Sequence, residues 1–227
     1  MIELYDVKKR YGSRCALEVS ALSFPIGERC AVLGANGSGK STLLRILAGT
    51  LTPDAGQVKL SAALAGSRGY MPQHPYPFGM SVLQNVAMAA LHGDKAAAQQ
   101  ALTAEGLSAL AKAKGNELSG GEAQRMAFAR MLVRPRDFLL LDEPTSATDI
   151  AGNSAVEKAL LDYCEATGCT LIFSTHSPAQ AQRLAQRVLF LENGRITEDG
   201  PAEQVLYRPT GKTAQDFLQF WNLSTQA

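Results

Sequence analysis

Two kinds of apolar pattern divide the chain. Apolar and polar residues alternate over residues 2–7 and nearly so over 16–22, which predicts strands with one solvated face. Later strands are predicted by short, continuously apolar runs, as is typical of strands covered on both faces by helices. These runs are residues 30–33, 138–141, 170–173 and 188–191. The pattern therefore predicts an α/β fold, with a mostly parallel sheet and an N-terminal antiparallel β portion.

Helical segments lie between these strands. Residues 40–48 end at Gly49, residues 122–133 end before Pro135, and residues 154–166 end before Gly168, so each has an ordinary helix stop signal. The stretch from about 82 to 114 is rich in alanine and has no strand-like apolar run. We interpret it as an inserted α-helical subdomain.

Length and composition favour one large domain. The chain has 227 residues, against about 150 for an average domain. We predict a single domain over 1–227, in which 1–74 and 119–227 form the core and about 75–118 form the helical subdomain. The formal net charge is +1, from 22 Lys and Arg against 21 Asp and Glu, which argues against a dedicated nucleic-acid binder.

The sequence also indicates the compartment. The longest apolar runs are about four residues, far below the roughly 18 that span a bilayer, and the acidic N-terminus does not resemble a signal peptide. None of the four cysteines has the spacing of a zinc site. We therefore expect a cytoplasmic protein with reduced, structural thiols.

A glycine-rich loop follows the first buried-type strand and opens a helix. Gly34, Gly39, Lys40 and Ser41 meet the spacing G-x4-G-K-S, which is the phosphate-binding loop of nucleotide-binding proteins. Backbone N–H groups and a helix N-terminus suit phosphates there. The predicted nucleotide-binding residues of the loop are Gly34, Asn36, Gly37, Ser38, Gly39, Lys40, Ser41 and Thr42. Among them, Lys40 would neutralise the β- and γ-phosphates, and Ser41 would ligate Mg²⁺.

A second buried strand ends in two carboxylates, Asp142 and Glu143. Strand ends in such sheets meet in the crevice that holds the ligand. Asp142 is therefore expected to hold Mg²⁺, and Glu143 to orient and deprotonate the attacking water.

The segment Leu118-Ser119-Gly120-Gly121-Glu122 stands about twenty residues before that strand. It resembles the signature of ATP-binding cassette (ABC) ATPases, whose motifs all occur here in the family's order. A Ser-Gly-Gly turn alone would also be a plain helix cap; the ordered set favours the family. The resemblance implies a P-loop NTPase core, ATP and Mg²⁺ as ligands, and ATP hydrolysis.

Further residues follow from this resemblance. Tyr11 is similar to the aromatic that stacks on adenine, and Gln73 to the loop glutamine that reaches Mg²⁺ and water. His176 is similar to the switch histidine that contacts the γ-phosphate and positions Glu143. Asp149 is similar to the D-loop aspartate, although Thr148 stands where leucine is usual.

Two phosphate-type turns in one small domain predict a dimer. The loop at 34–42 already surrounds one nucleotide, so the helix start at Ser119, Gly120, Gly121 and Glu122 would serve the ATP of a second copy. The resemblance implies a head-to-tail dimer with two ATP molecules, on the cytoplasmic face of the membrane.

The implied partners are transmembrane permease subunits and an extracytoplasmic solute-binding protein. Similarity over 70–86 favours import of a small ion or oxyanion such as tungstate. A soluble ABC ATPase such as an Fe–S assembly subunit is the alternative, and a phosphate-loop kinase is a third hypothesis, in which the signature and His176 would have no role.

Overall fold

The computed structural model describes residues 1–146 and 150–221. Its strands and helices are as follows. The strands are β1 (Ile2–Tyr11), β2 (Arg14–Phe24), β3 (Arg29–Leu33), β4 (Ala55–Leu60), β5 (Arg68–Met71), β6 (Phe138–Asp142), β7 (Thr170–Ser174), β8 (Arg187–Glu192) and β9 (Arg195–Pro201). The helices are α1 (Lys40–Ala48), α2 (Ala62–Ala65), α3 (Val82–Ala87), α4 (Lys95–Ala104), α5 (Gly120–Leu132), α6 (Ile150–Thr167), α7 (Pro178–Leu184), α8 (Ala202–Tyr207) and α9 (Lys212–Phe220).

The strands form two sheets. A three-stranded sheet has the order β2-β1-β4 and is antiparallel, and a six-stranded sheet has the order β5-β6-β7-β3-β8-β9. In the larger sheet β6, β7, β3 and β8 run parallel, while β9 is antiparallel to β8. The predicted α/β class, with a mostly parallel sheet and an antiparallel N-terminal portion, is therefore confirmed.

The chain divides into two compact units. One comprises Met1–Tyr70, Asp137–Glu143 and the chain from Leu161 onward, and the other comprises Met71–Arg136 and Pro144–Leu160. The division into core and helical subdomain at about residues 75 and 118 stays a prediction.

The first unit contains both sheets around one core. The inward side chains Ile2 and Leu4 of β1 belong to the same buried cluster as Leu43, Leu44 and Leu47 of α1. All five are at most 1% exposed, and burying a leucine contributes about 1.5–3 kcal/mol. Because α1 begins where the glycine-rich loop ends, this packing fixes the position of the loop.

The second unit has a helical core of its own. Helices α3, α4 and α5 contribute to one buried cluster, and 3₁₀ turns at Leu91–Gly93, Ser108–Leu110 and Gly115–Glu117 connect them. Its buried members are Val82, Val86, Ala87, Ala98, Leu102, Leu107, Met126 and Ala129. The predicted helical character of the alanine-rich stretch is thus observed.

Candidate active site

The glycine-rich loop is tightly enclosed by backbone. Gly34 has a φ of 144°, and a Cβ there would lie 2.2 Å from the Leu191 carbonyl oxygen. Gly39 has a φ of 113°, and a Cβ there would lie 2.5 Å from the Ala16 carbonyl oxygen. Both the conformation and the close approach therefore require glycine.

Gly194, in the turn between β8 and β9, joins this loop to β2. Its N–H donates to the Ser38 carbonyl at 2.8 Å, and its carbonyl accepts from the Glu18 N–H at 2.7 Å. Arg14 adds a hydrogen bond to the Gly37 carbonyl at 2.5 Å. Sequence reasoning missed Gly194 and Arg14, because contacts between segments that are distant in sequence have no local signal.

Lys40 lies across the loop with its ammonium group buried. Its Nζ donates to the Gly34 carbonyl at 2.7 Å and to the Ala35 carbonyl at 3.1 Å. Burial lowers the pKa of Lys40, and the nearby carboxylates of Glu143 and Asp142 oppose this shift. The two carbonyl groups are the hydrogen-bond acceptors of this buried ammonium. An anion bound here would pair with its positive charge.

The loop has the features of a phosphate site. The N-cap residue of α1 is Gly39, which has no side chain to accept hydrogen bonds from the start of the helix. The first N–H groups of α1 can therefore bind an anion. The Ser38 hydroxyl is buried and has no hydrogen-bond partner among the described residues. Ser41 lies on the first turn of α1 and is exposed, as a metal-ligating hydroxyl needs to be. The residues present therefore fit a bound nucleotide phosphate.

The remaining predicted loop residues lie beside this site. Asn36 and Gly37 are exposed, and Thr42 is half-buried on α1. Tyr11 is the last residue of β1 and is 49% exposed, and Lys9 Nζ lies 6.0 Å from the centroid of its ring.

Three parallel strands end together next to the loop. In the sheet register, Asp142 of β6 pairs with Ser174 of β7, and Ser174 pairs with Val32 of β3. Since β3 leads directly into the loop, the ends of β6 and β7 lie on the same edge as the loop. This register brings Asp142, Glu143 and His176 into the same region of the first unit.

Ser174 connects the Asp142 carboxylate to the backbone of Glu143. Its hydroxyl donates to Asp142 Oδ1 at 2.5 Å, and it accepts from the Glu143 N–H at 3.0 Å. Asp142 is 4% exposed, and Glu143 has a φ of 48°, which is uncommon outside glycine. Sequence reasoning missed Ser174, although a polar residue at the end of an apolar strand was a visible signal.

His176 faces Glu143. Its Nδ1 lies 3.4 Å from Glu143 Oε2, and the side chains are 53% and 11% exposed, respectively. This arrangement gives a carboxylate that can accept a proton and an imidazole that can donate or accept one beside it. The chemistry that fits is water activation next to a phosphate site.

The signature segment belongs to the second unit. Ser119 caps α5 in a capping box: its Oγ accepts from the Glu122 N–H at 3.4 Å, and its N–H donates to Glu122 Oε2 at 2.8 Å. Ser119 Oγ also donates to Glu122 Oε2 at 2.6 Å, and this bond, followed by the one from the Ser119 N–H, lowers the pKa of Glu122. Gly120 and Gly121 form the first helical turn. The segment is therefore a capped helix start as well as a candidate phosphate contact.

Of the two remaining predicted site residues, the structure describes Gln73 but not Asp149. Gln73 is half-buried in the second unit, in the segment that follows β5. Asp149, together with Thr148, lies outside the described residues. Within residues 1–146 and 150–221, none of the helices is long and apolar enough to cross a membrane.

Comparisons with known proteins identify the family. Residues 17–146 match the sequence profile of the ABC transporter family. The thiamine import ATP-binding protein of Jannaschia sp. (strain CCS1) is 36% identical over 222 residues, which cover 91% of this chain and 95% of that protein. The molybdenum import ATP-binding protein of Mycobacterium tuberculosis (strain ATCC 25618 / H37Rv) is 37% identical over 214 residues, which cover 84% of this chain and 58% of that protein.

Comparison with a solved structure shows that the fold is that of an ATP-binding cassette. An ATP-binding cassette dimer, in a post-hydrolysis state with ADP and phosphate, superposes with a TM-score of 0.80 at 26% identity, covering 89% of this chain and 99% of that chain. The phosphate-type loop, the paired carboxylates and the family match agree. The chain therefore belongs to the ABC transporter family, as an ATP-binding and ATP-hydrolysing subunit of the importer type.

Proposed function

We propose that the loop at 34–42 holds the phosphates of ATP and that Glu143 is the general base for its hydrolysis. Lys40 would neutralise the β- and γ-phosphates, and Tyr11 would stack on adenine. Ser41 and Asp142 would hold Mg²⁺, with Gln73 assigned to the same ion from the family resemblance alone. The ion would supply charge neutralisation between the phosphates.

The hydrogen bonds of Ser174 support different roles for Asp142, as a metal ligand, and Glu143, as the general base. The Asp142 carboxylate is buried and accepts a hydrogen bond from the Ser174 hydroxyl at 2.5 Å, so its orientation is fixed, which suits a metal ligand. Glu143 is positioned through its backbone N–H instead, and its carboxylate faces His176, where it would accept a proton from water. His176, at 3.4 Å, would orient that carboxylate and contact the γ-phosphate.

The test of this assignment is Glu143→Gln. The amide keeps the shape of the carboxylate but cannot accept a proton, so we expect MgATP binding to persist and turnover to fall by about 10²–10⁴-fold. The variant should accumulate as an ATP-bound dimer, measured by size-exclusion chromatography with nucleotide. Glu203→Gln, at an exposed glutamate of α8, is the matched control. Turnover close to that of the wild type would remove Glu143 as the base.

We further propose a head-to-tail dimer. The N-terminus of α5, with Ser119, Gly120, Gly121 and Glu122, would contact the nucleotide held by a second copy, and Asp149 would act in the same interface. The dimeric cassette at a TM-score of 0.80 supports this arrangement. Hydrolysis would release the interface and pass the motion to the helical subdomain.

The proposed partners are transmembrane permease subunits, which would place the chain at the cytoplasmic face of the membrane, and a solute-binding protein that acts through them. The relatives named for thiamine and molybdenum import support a permease partner, but they differ in the substrate of their names. Import of an oxyanion therefore stays a prediction.

Affinity purification of the chain from detergent-solubilised membranes tests the permease. We expect a polytopic membrane protein at a fixed ratio, retained with MgATP. Recovery with a soluble scaffold and no membrane protein would instead support the Fe–S assembly alternative.

A further inference from the structure

The last described helix, α9, is anchored to the first unit at both ends. At its start, Glu198 Oε1 accepts from the Thr210 N–H at 2.6 Å and also from the Gly211 N–H. Farther along, the Phe217 ring packs edge-on against Phe190 of β8, with 5.3 Å between the centroids. Ala214 and Leu218 of α9 are 1% and 3% exposed, respectively. The helix is therefore held in place by the large sheet.

This anchoring places Trp221, the residue after α9, against His176. The centroids of the indole and imidazole rings are 6.0 Å apart, and the ring planes are inclined at 41°. Trp221 itself is 38% exposed. A side chain about 45 positions away in sequence thus touches the histidine that faces Glu143.

His176 needs such a neighbour to have a defined orientation. Its side chain is 53% exposed, and its contact with Glu143 is 3.4 Å long, beyond the usual range of a strong hydrogen bond. An exposed imidazole with one long polar contact keeps access to several rotamers. Packing against the indole ring removes part of that freedom.

We propose that Trp221 is a positioning residue for His176, so that helix α9 forms part of the hydrolytic site. The indole holds the imidazole with Nδ1 toward Glu143 and leaves the other ring nitrogen free for the nucleotide side. This proposal rests on the role proposed above for His176. Trp221 touches no reacting atom and acts only through the imidazole.

Steady-state kinetics on the full chain with MgATP give the first test. Trp221→Ala should lower kcat by about threefold to tenfold, the size expected for losing one aromatic contact, and should leave the KM for ATP unchanged. Trp221→Phe retains an aromatic ring and should recover most of kcat. Gln219→Ala, at an exposed position of the same helix, is the matched control and should match the wild type.

A double-substitution cycle separates positioning from a structural effect. In a His176→Ala background, adding Trp221→Ala should cause no further loss in single-turnover hydrolysis, because the imidazole that Trp221 positions is absent. An equal loss in both backgrounds would overturn the proposal. Full turnover by Trp221→Ala while His176→Ala is inactive would also overturn it and would leave the role of His176 intact.

Fluorescence gives a readout that does not depend on turnover. The chain contains one tryptophan, so the indole emission comes from Trp221 alone. His176→Ala removes the ring that packs against the indole and should therefore shift the emission to longer wavelength, because the indole becomes more exposed to water. His74→Ala, at an exposed histidine of the second unit, should not. Unchanged emission in the His176 variant would show that the two rings are not in contact and would overturn the proposal.

If His176→Ala hydrolyses ATP at the wild-type rate, the proposed role of His176 fails and the positioning role fails with it. This outcome is distinct from the case in which only Trp221 is dispensable. Thermal melts of each variant accompany the kinetics. A lower kcat in Trp221→Ala, with the melting temperature of the wild type, supports positioning.

Discussion

At the scale of single residues, Ser174 organises the site. One hydroxyl donates to Asp142 and accepts from the backbone of Glu143, a role that its place at the end of an apolar strand could have indicated. The side chain is 0% exposed. Both of its hydrogen bonds are therefore formed away from water, where a lost partner is costly.

We expect Ser174→Ala to lower both stability and turnover. The buried Asp142 carboxylate would lose its donor, at a cost of about 1–3 kcal/mol, and a displaced Glu143 would lower kcat by about 10- to 100-fold. Urea unfolding and ATPase rates measure the two effects. Ser20→Ala, at an exposed serine of β2, is the matched control. Wild-type kcat in the Ser174 variant would contradict the role given to this hydroxyl.

The residues that the sequence could predict are those with chemistry at a fixed spacing. Lys40, Asp142 and Glu143 follow from a loop or a strand end whose position the apolar pattern already determines. The functional roles given to them stay predictions. Residues such as Arg14 and Trp221 could not be found in this way, because their contacts join segments that are distant in sequence.

For the cysteines too, the sequence predicts the type of residue but not its contacts. The sequence predicts reduced, structural thiols, and all four are free in the described part of the chain. The structure adds that the Sγ atoms of Cys164 and Cys169 lie 3.3 Å apart and are buried. A spacing of five along the chain does not reveal this, because the two residues lie on different elements, α6 and the segment before β7.

At the scale of elements, the strands that the sequence missed, β4, β5 and β9, lie at the edges of the two sheets. The burial of β9 alternates only between exposed and half-buried, and β4 is exposed over most of its length. Both lie at the edge of a sheet, so neither has the continuous apolar run that marked the central strands. Helix α1, with its glycine stop, was predicted to the residue.

Helix α4 ends at a carboxylate with an unusual pKa. Glu105 caps its C-terminus, where a negative charge opposes the helix dipole. Burial raises the pKa of Glu105 to about 7 from the ordinary 4.5, and Arg125 partly opposes the shift. The folded state therefore binds this proton more tightly than the unfolded state does.

It follows that stability should depend on pH through Glu105. The protonated Glu105 carboxyl contributes to the free energy of unfolding. This contribution is fully present below 4.5, the pKa in the unfolded chain, and is lost as pH rises through about 7, the pKa in the folded chain. Glu105→Gln keeps a neutral group, so we expect it to raise Tm at about pH 8 and to change it little at about pH 5. Thermal melts at the two pH values test this.

The control for this prediction is Glu117→Gln, at an exposed glutamate of the same unit. Its Tm at about pH 8 should rise less than that of Glu105→Gln, because Glu117 is exposed. A Glu105 variant with the same Tm difference at both pH values would contradict the buried proton.

At the scale of the whole molecule, the proposed dimer makes each site depend on two chains. Lys40→Ala disables the loop of its own chain, and Gly121→Asp places a negative charge at the helix start that would face the partner's phosphates. In a mixed dimer, one site would combine the intact loop of one chain with the intact signature of the other. We therefore expect the mixture to hydrolyse ATP although neither variant does alone.

A control mixture decides how to interpret a negative result. Wild-type chain mixed with a large excess of Lys40→Ala, so that few wild-type homodimers remain, reports whether a dimer with one intact site turns over. If that control is active and the mixture of the two variants is not, the signature does not act on the partner's nucleotide.

The turn at Gly194 has a further consequence for the energetics of binding. It connects the Ser38 carbonyl to β2 through the Glu18 N–H, so the glycine-rich loop is ordered as soon as the two sheets are in place. The conformational entropy of the loop is then lost when the chain folds. The free energy of nucleotide binding therefore does not include the cost of ordering the loop. The loop is thus a preorganised receptor, and its affinity for phosphate depends on the integrity of the sheets behind it.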